Sequence, residues 1–286
     1  MKLWIGLALI AAGLIFFTTT SKQRSPVVDT GMNPGTLAVP KNGNVTSTPV
    51  IVELFTSEGC SSCPPADEVL ATLDKAQPVP GAEIIALGEH VDYWNKLGWI
   101  DPYSSADCSQ RQSSYASAFG SDSVYTPQMI VDGRDEFSGG NMSKARDAIA
   151  KAARLPKANI QLLASSGSKA NEIQVSINIS DLPRPSSGDR SDVVLAVSEN
   201  NLHSEVPRGE NAGQFLRHSA VVRKLTVLGQ IKSDSNPFHA QPVVRLLDRW
   251  KRDDLRAVVF VQERSSRRIV SAAALGLSGR LEGSAP

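Results

Sequence analysis

From Val50 to Phe55 the chain is apolar or β-branched at every position but Glu53, and the run ends in a short polar turn containing Gly59. Pro64 and Pro65 follow, and then an amphipathic segment places Ala66, Val69, Leu70 and Leu73 on one face of a 3.6-residue period. The pattern predicts a strand, a turn and a helix. After a loop at Gln77–Gly81, a second apolar run from Glu83 to Leu87 predicts another buried strand, so the unit implies a parallel, right-handed crossover. A helix is expected over Ser104–Phe119, with Cys108, Tyr115 and Phe119 on one face. Proline has no N–H for a sheet ladder, so Pro127 should open the next strand, and Asp132-Gly133 should turn the chain into a return strand at Arg134–Phe137. Ala145, Ala148, Ile149 and Ala152 form the stripe of a further helix, and a first domain closes near Leu155-Pro156.

Beyond Lys157 the texture changes to short alternating segments: Ile160–Leu163, Glu172–Ile179, Val193–Val197, Ala220–Leu228, Ala257–Gln262 and Ile269–Ala273, with one helical stretch expected over Val243–Lys251. Several short strands separated by turns suggest a β-sandwich. The expected organisation is a signal peptide or N-terminal anchor at residues 1–20, a flexible linker at 21–47, an α/β domain at 48–156, a β-rich domain at 157–280 and a tail at 281–286.

Charge and length narrow the classes. The 286 residues carry 30 basic and 29 acidic side chains, for a net charge of +1, which gives no electrostatic footprint for nucleic acid or an anionic membrane surface. The apolar run from Leu3 to Phe17 after one lysine resembles an export signal and is short for a bilayer span. No Ala-x-Ala cleavage site follows it, so an uncleaved anchor in the inner membrane stays open. The expected location is outside the cytoplasm, periplasmic or secreted.

The chemistry gathers on Cys60 and Cys63. A Cys-x-x-Cys pair at the start of a helix after a buried strand is a redox arrangement, whereas a zinc site would normally show a second pair. Unpaired N–H groups and the helix dipole at a first turn favour the thiolate. Cys60 should attack, and the less exposed Cys63 should resolve a mixed disulfide held on Cys60. Cys108 reads as a small core residue. The loop from Gly88 to Pro102 concentrates His90, Asp92, Tyr93, Trp94 and Trp99. It either packs its aromatics over the core or forms a substrate-facing lip beside Cys60, with Tyr93 and Trp94 as contacts. Val206–Gly213, reading VPRGENAG, either touches the redox site or a client, or connects two strands tightly. His203, His218 and His239 show no metal-ligand spacing, although two thiolates and one imidazole would suit Cu(I). No hydrolase elbow, P-loop or dinucleotide fingerprint occurs.

Cys60-Ser61-Ser62-Cys63 and the Thr126-Pro127 hairpin resemble the thioredoxin fold. The blocks VELFTSEGCSSCPPAD, HVDYWNKLGWIDPYS, VYTPQMIVDG and RGENAG resemble a secreted bacterial family catalogued as domain of unknown function 1223. The resemblance implies a thioredoxin-like first domain in which Pro127 is a cis residue beside the cysteines and Thr126 offers backbone to an extended substrate. It also implies that Glu53 is a buried acid moving protons for Cys63. Gly59 and Ser61-Ser62 depart from the thioredoxin pattern, which leaves the direction of electron flow open. The expected function is exported thiol–disulfide exchange with protein or small-thiol clients and a redox-recycling partner, with no cofactor and no metal. A copper chaperone and an inert binding module braced by a disulfide stand as alternatives.

Overall fold

The structure, a computed structural model, describes residues 47–185, 189–232 and 237–278, together with the backbone of Leu37–Ala38. The expected signal segment, the linker short of residue 47 and the tail lie outside the described residues, apart from that dipeptide. Among the described residues no helix is long and apolar enough to cross a membrane.

The protein is mostly β. In chain order come β1 (Leu37–Ala38), β2 (Thr48–Thr56), α1 (Pro64–Ala76), β3 (Ala82–His90), α2 (Ala106–Phe119), β4 (Gln128–Val131), β5 (Asp135–Ser138) and α3 (Met142–Ala152). Then follow β6 (Asn159–Ser166), β7 (Glu172–Ser180), β8 (Ser191–Glu199), β9 (Leu202–Glu205), β10 (Phe215–His218) and β11 (Val221–Ile231). The last strands are β12 (Phe238–Ala240), β13 (Val243–Arg245), β14 (Leu255–Glu263) and β15 (Ile269–Gly276).

Local chemistry sets the helix ends. Ser105 caps α2 by accepting the Asp107 N–H at 3.1 Å, Asn141 caps α3 by accepting the Lys144 N–H at 2.9 Å, and Pro64-Pro65 opens α1, where missing N–H groups cost nothing. Leu70 and Leu73 of α1 are buried, each contributing about 1.5–3 kcal/mol over an exposed position.

The sheet overturns the expected fold class, an α/β thioredoxin-like domain followed by an all-β sandwich-like domain. One eight-stranded mixed sheet, ordered β15-β14-β8-β11-β3-β2-β4-β5, runs through both halves of the chain. The physical reason is an edge. Strand β3, paired to β2 on one side, would otherwise present unpaired N–H and C=O groups on the other, and β11 covers that side in parallel through Val221 opposite Gly88. The Gly88 N–H donates to Ala220 O at 2.8 Å, and a Cβ on Gly88 would lie 3.0 Å from Ser219 O, so the junction favours glycine. Strands β8, β14 and β15 then extend the sheet antiparallel.

The sheet also curls back on itself. Ile269 at the start of β15 donates to Asp132 O at 2.8 Å, beside the β4–β5 turn. At that turn Gly133 has φ +62° and a Cβ there would overlap the Arg267 carbonyl. Within the curl, Ile51, Ile85, Leu87, Val194, Ala196, Val258, Phe260 and Ile269 make one core. On the other face, Val50, Val52, Leu54, Ile84 and Ala86 pack under α1 and α3. Strands β8, β14 and β15 meet β6 and β7 of a second sheet through Val193, Leu195, Val259 and Val175.

The helix expected over Val243–Lys251 is also overturned. Pro242 precedes two β-branched valines, and β13 pairs antiparallel with β7, Val244 opposite Ile173.

Candidate functional site

Strand β2 ends at Thr56, and residues 57–62 turn into α1. Cys60 and Cys63 form a disulfide with Cα atoms 5.4 Å apart, and Cys63 is the N-cap residue of α1. The turn is held by its own backbone: Cys60 N–H donates to Ser57 O at 3.2 Å and Cys63 N–H to Cys60 O at 3.1 Å. The sequence pattern makes Cys63 the more buried partner, yet both are covered, at 1% and 0% exposure for Cys60 and Cys63.

A cluster of buried acids and histidines lies beside this turn. The Glu58 carboxylate meets His218 Nε2 at 2.9 Å through one oxygen and accepts the Trp99 indole N–H at 2.7 Å through the other. The Glu58 N–H donates to Asp101 Oδ2 at 3.0 Å, and the same oxygen lies 2.7 Å from His90 Nδ1. The two imidazoles cross edge to face at 4.7 Å, with Tyr103 against both. Asp67, one turn beyond Cys63 on α1, accepts the Thr56 hydroxyl at 2.8 Å and faces His218 Nδ1 at 3.9 Å. His218 therefore sits between two carboxylates.

Burial pushes the Asp67 carboxyl up to about 6, with His218 and His90 opposing the shift. For His90, burial works against the charge, but the Asp101 carboxylate beside it prevails and raises the imidazole above its ordinary value. Asp101 is shifted the other way: burial opposes its charge, and His90 and two backbone N–H groups hold it below the usual carboxylate range.

The expected lip residues are engaged on the same side of the turn. The Trp94 indole N–H donates to Thr126 Oγ1 at 2.8 Å, and a Cβ on Gly59 would lie 3.1 Å from Trp94 Cβ, so Trp94 links the residue before Cys60 to the residue before Pro127. The Thr126–Pro127 peptide is cis. Pro127 and Ala66 of α1 both border Gly139. The Tyr93 hydroxyl donates to Gln112 Oε1 at 3.2 Å.

Glu53 does not join the disulfide. It shares the phase of Ile51 and Phe55 and projects into the curl, on the face opposite α1. Arg111 of α2 meets it at 2.5 Å and Glu89 at 3.1 Å, the Tyr115 hydroxyl donates to Glu53, and Arg111 Nη1 donates to Gln262 at 2.9 Å. Burial would raise Glu53, but the Arg111 charge and the hydrogen bonds it accepts hold it low. Burial and the Glu53 charge keep Glu89 well above the carboxylate range despite Arg111. Cys108 is buried on α2, and burial pushes its thiol well up, as a core residue's would be.

The second half of the chain completes the surroundings. Within the loop joining β9 to β10, Asn211 donates to Glu58 O at 2.8 Å and Cys60 O at 3.0 Å. Glu210 accepts the Ser61 N–H at 3.1 Å and hydroxyl at 2.7 Å. Both readings of VPRGENAG hold together, since it is a strand connection that touches the disulfide turn. Sequence reasoning placed Glu210 and Asn211 in a segment that could touch the site without naming either, and it missed Glu58, Asp67, Asp101 and His218 as site residues. Of these four, Asp67 had a signal in its four-residue spacing from Cys63. Among the described residues no group of three or more His, Cys, Asp or Glu side chains is arranged to hold a metal ion.

A protein from Agrobacterium tumefaciens, known from an X-ray crystal structure, is similar at 28% identity and TM-score 0.60, over 84% of this chain and 98% of that one. HBP35 of Porphyromonas gingivalis is similar at 15% identity and TM-score 0.59, over 80% and 75%, a likeness of fold alone. No curated protein matches the sequence. The family model described as "Protein of unknown function (DUF1223)" matches residues 51–262, and the chain belongs to that family.

Proposed function

We propose that the chain exchanges disulfides with thiol-bearing clients through Cys60 and Cys63. The observation that carries this reading is the placement of the pair at the first turn of α1 with Asp67 one turn further on the same helix. Residues at i and i+4 sit about 5–6 Å apart at Cβ. In the reduced protein the Cys60 thiolate attacks one sulfur of a client disulfide, forming a mixed disulfide and expelling the first client thiolate. The Cys63 thiol gives its proton to the Asp67 carboxylate and attacks Cys60 Sγ, which closes the Cys60–Cys63 bond and releases the second client thiolate. The client gains two electrons, the protein dithiol loses two, and the Asp67 proton passes to the departing thiolate. The reverse sequence oxidises a client dithiol. Asp67 takes the role expected of Glu53, because a carboxyl near 6 exchanges protons close to neutral pH. Export belongs to the same proposal, since an oxidising compartment maintains such a bond and a recycling partner resets it.

One observation favours a second reading. Both sulfurs belong to buried residues, as in a disulfide that only braces its turn. Equilibration against glutathione buffers separates the two. A reversible couple between roughly −120 and −270 mV, abolished in Cys60→Ser, supports exchange. A pair still oxidised far below that range sinks the proposal.

A further inference from the structure

We infer that residues 206–214 form a strap over the disulfide, which a client must lift before it can reach Cys60. The inference rests on the exchange reading above and adds to it how access is controlled. The strap is a self-contained loop. Val206 and Gln214 close its base, through the Val206 N–H to Gln214 O at 3.0 Å and the Gly213 N–H to Val206 O at 2.7 Å. Its tip is folded by Ala212 N–H to Gly209 O and Gln214 N–H to Asn211 O. Gly209 and Gly213 both carry positive φ, at +84° and +80°. Such a loop keeps its internal hydrogen bonds if it swings about its base.

Its grip on the redox turn has an inner and an outer part. Inside, the buried Asn211 side chain holds the carbonyls of Glu58 and Cys60. Gly209 lies against Trp99, whose indole is tied to Glu58; a Cβ at residue 209 would come within 3.2 Å of Trp99 Cβ. Outside, the exposed Glu210 carboxylate takes both donors of Ser61, the residue next to Cys60. The outer contact is the latch. It is exposed and so opens at low cost, and while it is closed the strap stays seated on the turn that carries the buried disulfide.

The test follows reduction of the oxidised full chain by dithiothreitol without denaturant, with quenched alkylation reporting Cys60 and Cys63. Losing a charge-assisted hydrogen-bonded latch should speed reduction about five-fold in Glu210→Ala. Glu210→Gln keeps an acceptor for Ser61 and should stay within about two-fold of the parent. Amide exchange at Ser61 should quicken in Glu210→Ala while the unfolding midpoint holds. Equal reduction rates in all three proteins would overturn the strap and leave disulfide exchange standing. A bond that resists reduction in every variant would overturn both. If Glu210→Gln accelerates as much as Glu210→Ala, loss of negative charge explains the rate and the latch is refuted.

Discussion

Replacing Asp67 by asparagine removes a carboxyl that folding pushes from 3.8 to about 6. The two-unit displacement has a definite sign. Below pH 3.8 the acid is protonated in folded and unfolded chains alike and adds nothing. Between about 4 and 6 the unfolded chain releases the proton while the folded protein retains it, so stability falls as pH rises, and above 6 the loss is complete. A shift from 3.8 to about 6 corresponds to about 3 kcal/mol at 1.36 kcal/mol per unit. The Asp67→Asn variant has no such titration, though it gives up the attraction between the anion and His218. Urea unfolding of the oxidised full chain at pH 4, 5, 6 and 7 reads the effect as a difference between variant and parent, together with the smaller change at His90, which the Asp67 charge helps to raise. That difference should move in the variant's favour by about 2.4 kcal/mol from pH 4 to pH 7, the rest of the shift lying below pH 4. Parallel stability profiles across that range would refute the environment assigned to Asp67, and with it the group proposed to take the Cys63 proton.

Other substitutions probe the frame around the site. Arg111→Met strands Glu53 and Glu89 without their shared cation and should cost about 3–5 kcal/mol in urea unfolding, even though neither carboxyl touches the disulfide. Gly133→Ala places a Cβ on the Arg267 carbonyl at positive φ, so it should destabilise by at least about 2 kcal/mol, read as a lowered thermal midpoint. Cys108, with its thiol pushed up by burial, should resist iodoacetamide in the folded protein and react once urea opens the chain. Cys108→Ala should leave the Cys60–Cys63 potential where it is in the parent.

How far the molecule was legible depended on how local each feature is. The strand at Val50–Phe55, the α1 stripe and the Asp132-Gly133 turn follow from period and turn chemistry, which act over a few residues. Strand partners do not. The apolar and β-branched runs in β11, β14 and β15 mark these segments as strands, but nothing in them says that β11 covers the edge of β3 and not a sheet of its own. Glu53 was legible as an acid within a buried strand, and its phase was legible too. Val50, Val52 and Leu54 share the α1 face, so an odd-numbered neighbour points away from the cysteines. His218 carried no local signal, because its partner Glu58 lies 160 positions earlier and only the folded sheet joins them.

Because β11 pairs with β3 and β15 returns to the β4–β5 turn, the parts of the chain on either side of Pro156 share one sheet and do not separate cleanly there. A fragment of residues 48–156 would keep both cysteines and Asp67 but lose His218, Asn211 and Glu210, and it would open Ile51, Ile85 and Leu87 to water where Phe260 now covers them. Grafting the Cys-x-x-Cys segment onto another scaffold, or exchanging the latter part of the chain with that of a relative, therefore also exchanges the side chains that hold the disulfide turn. The natural unit of transplantation is the whole fold, from β2 through β15.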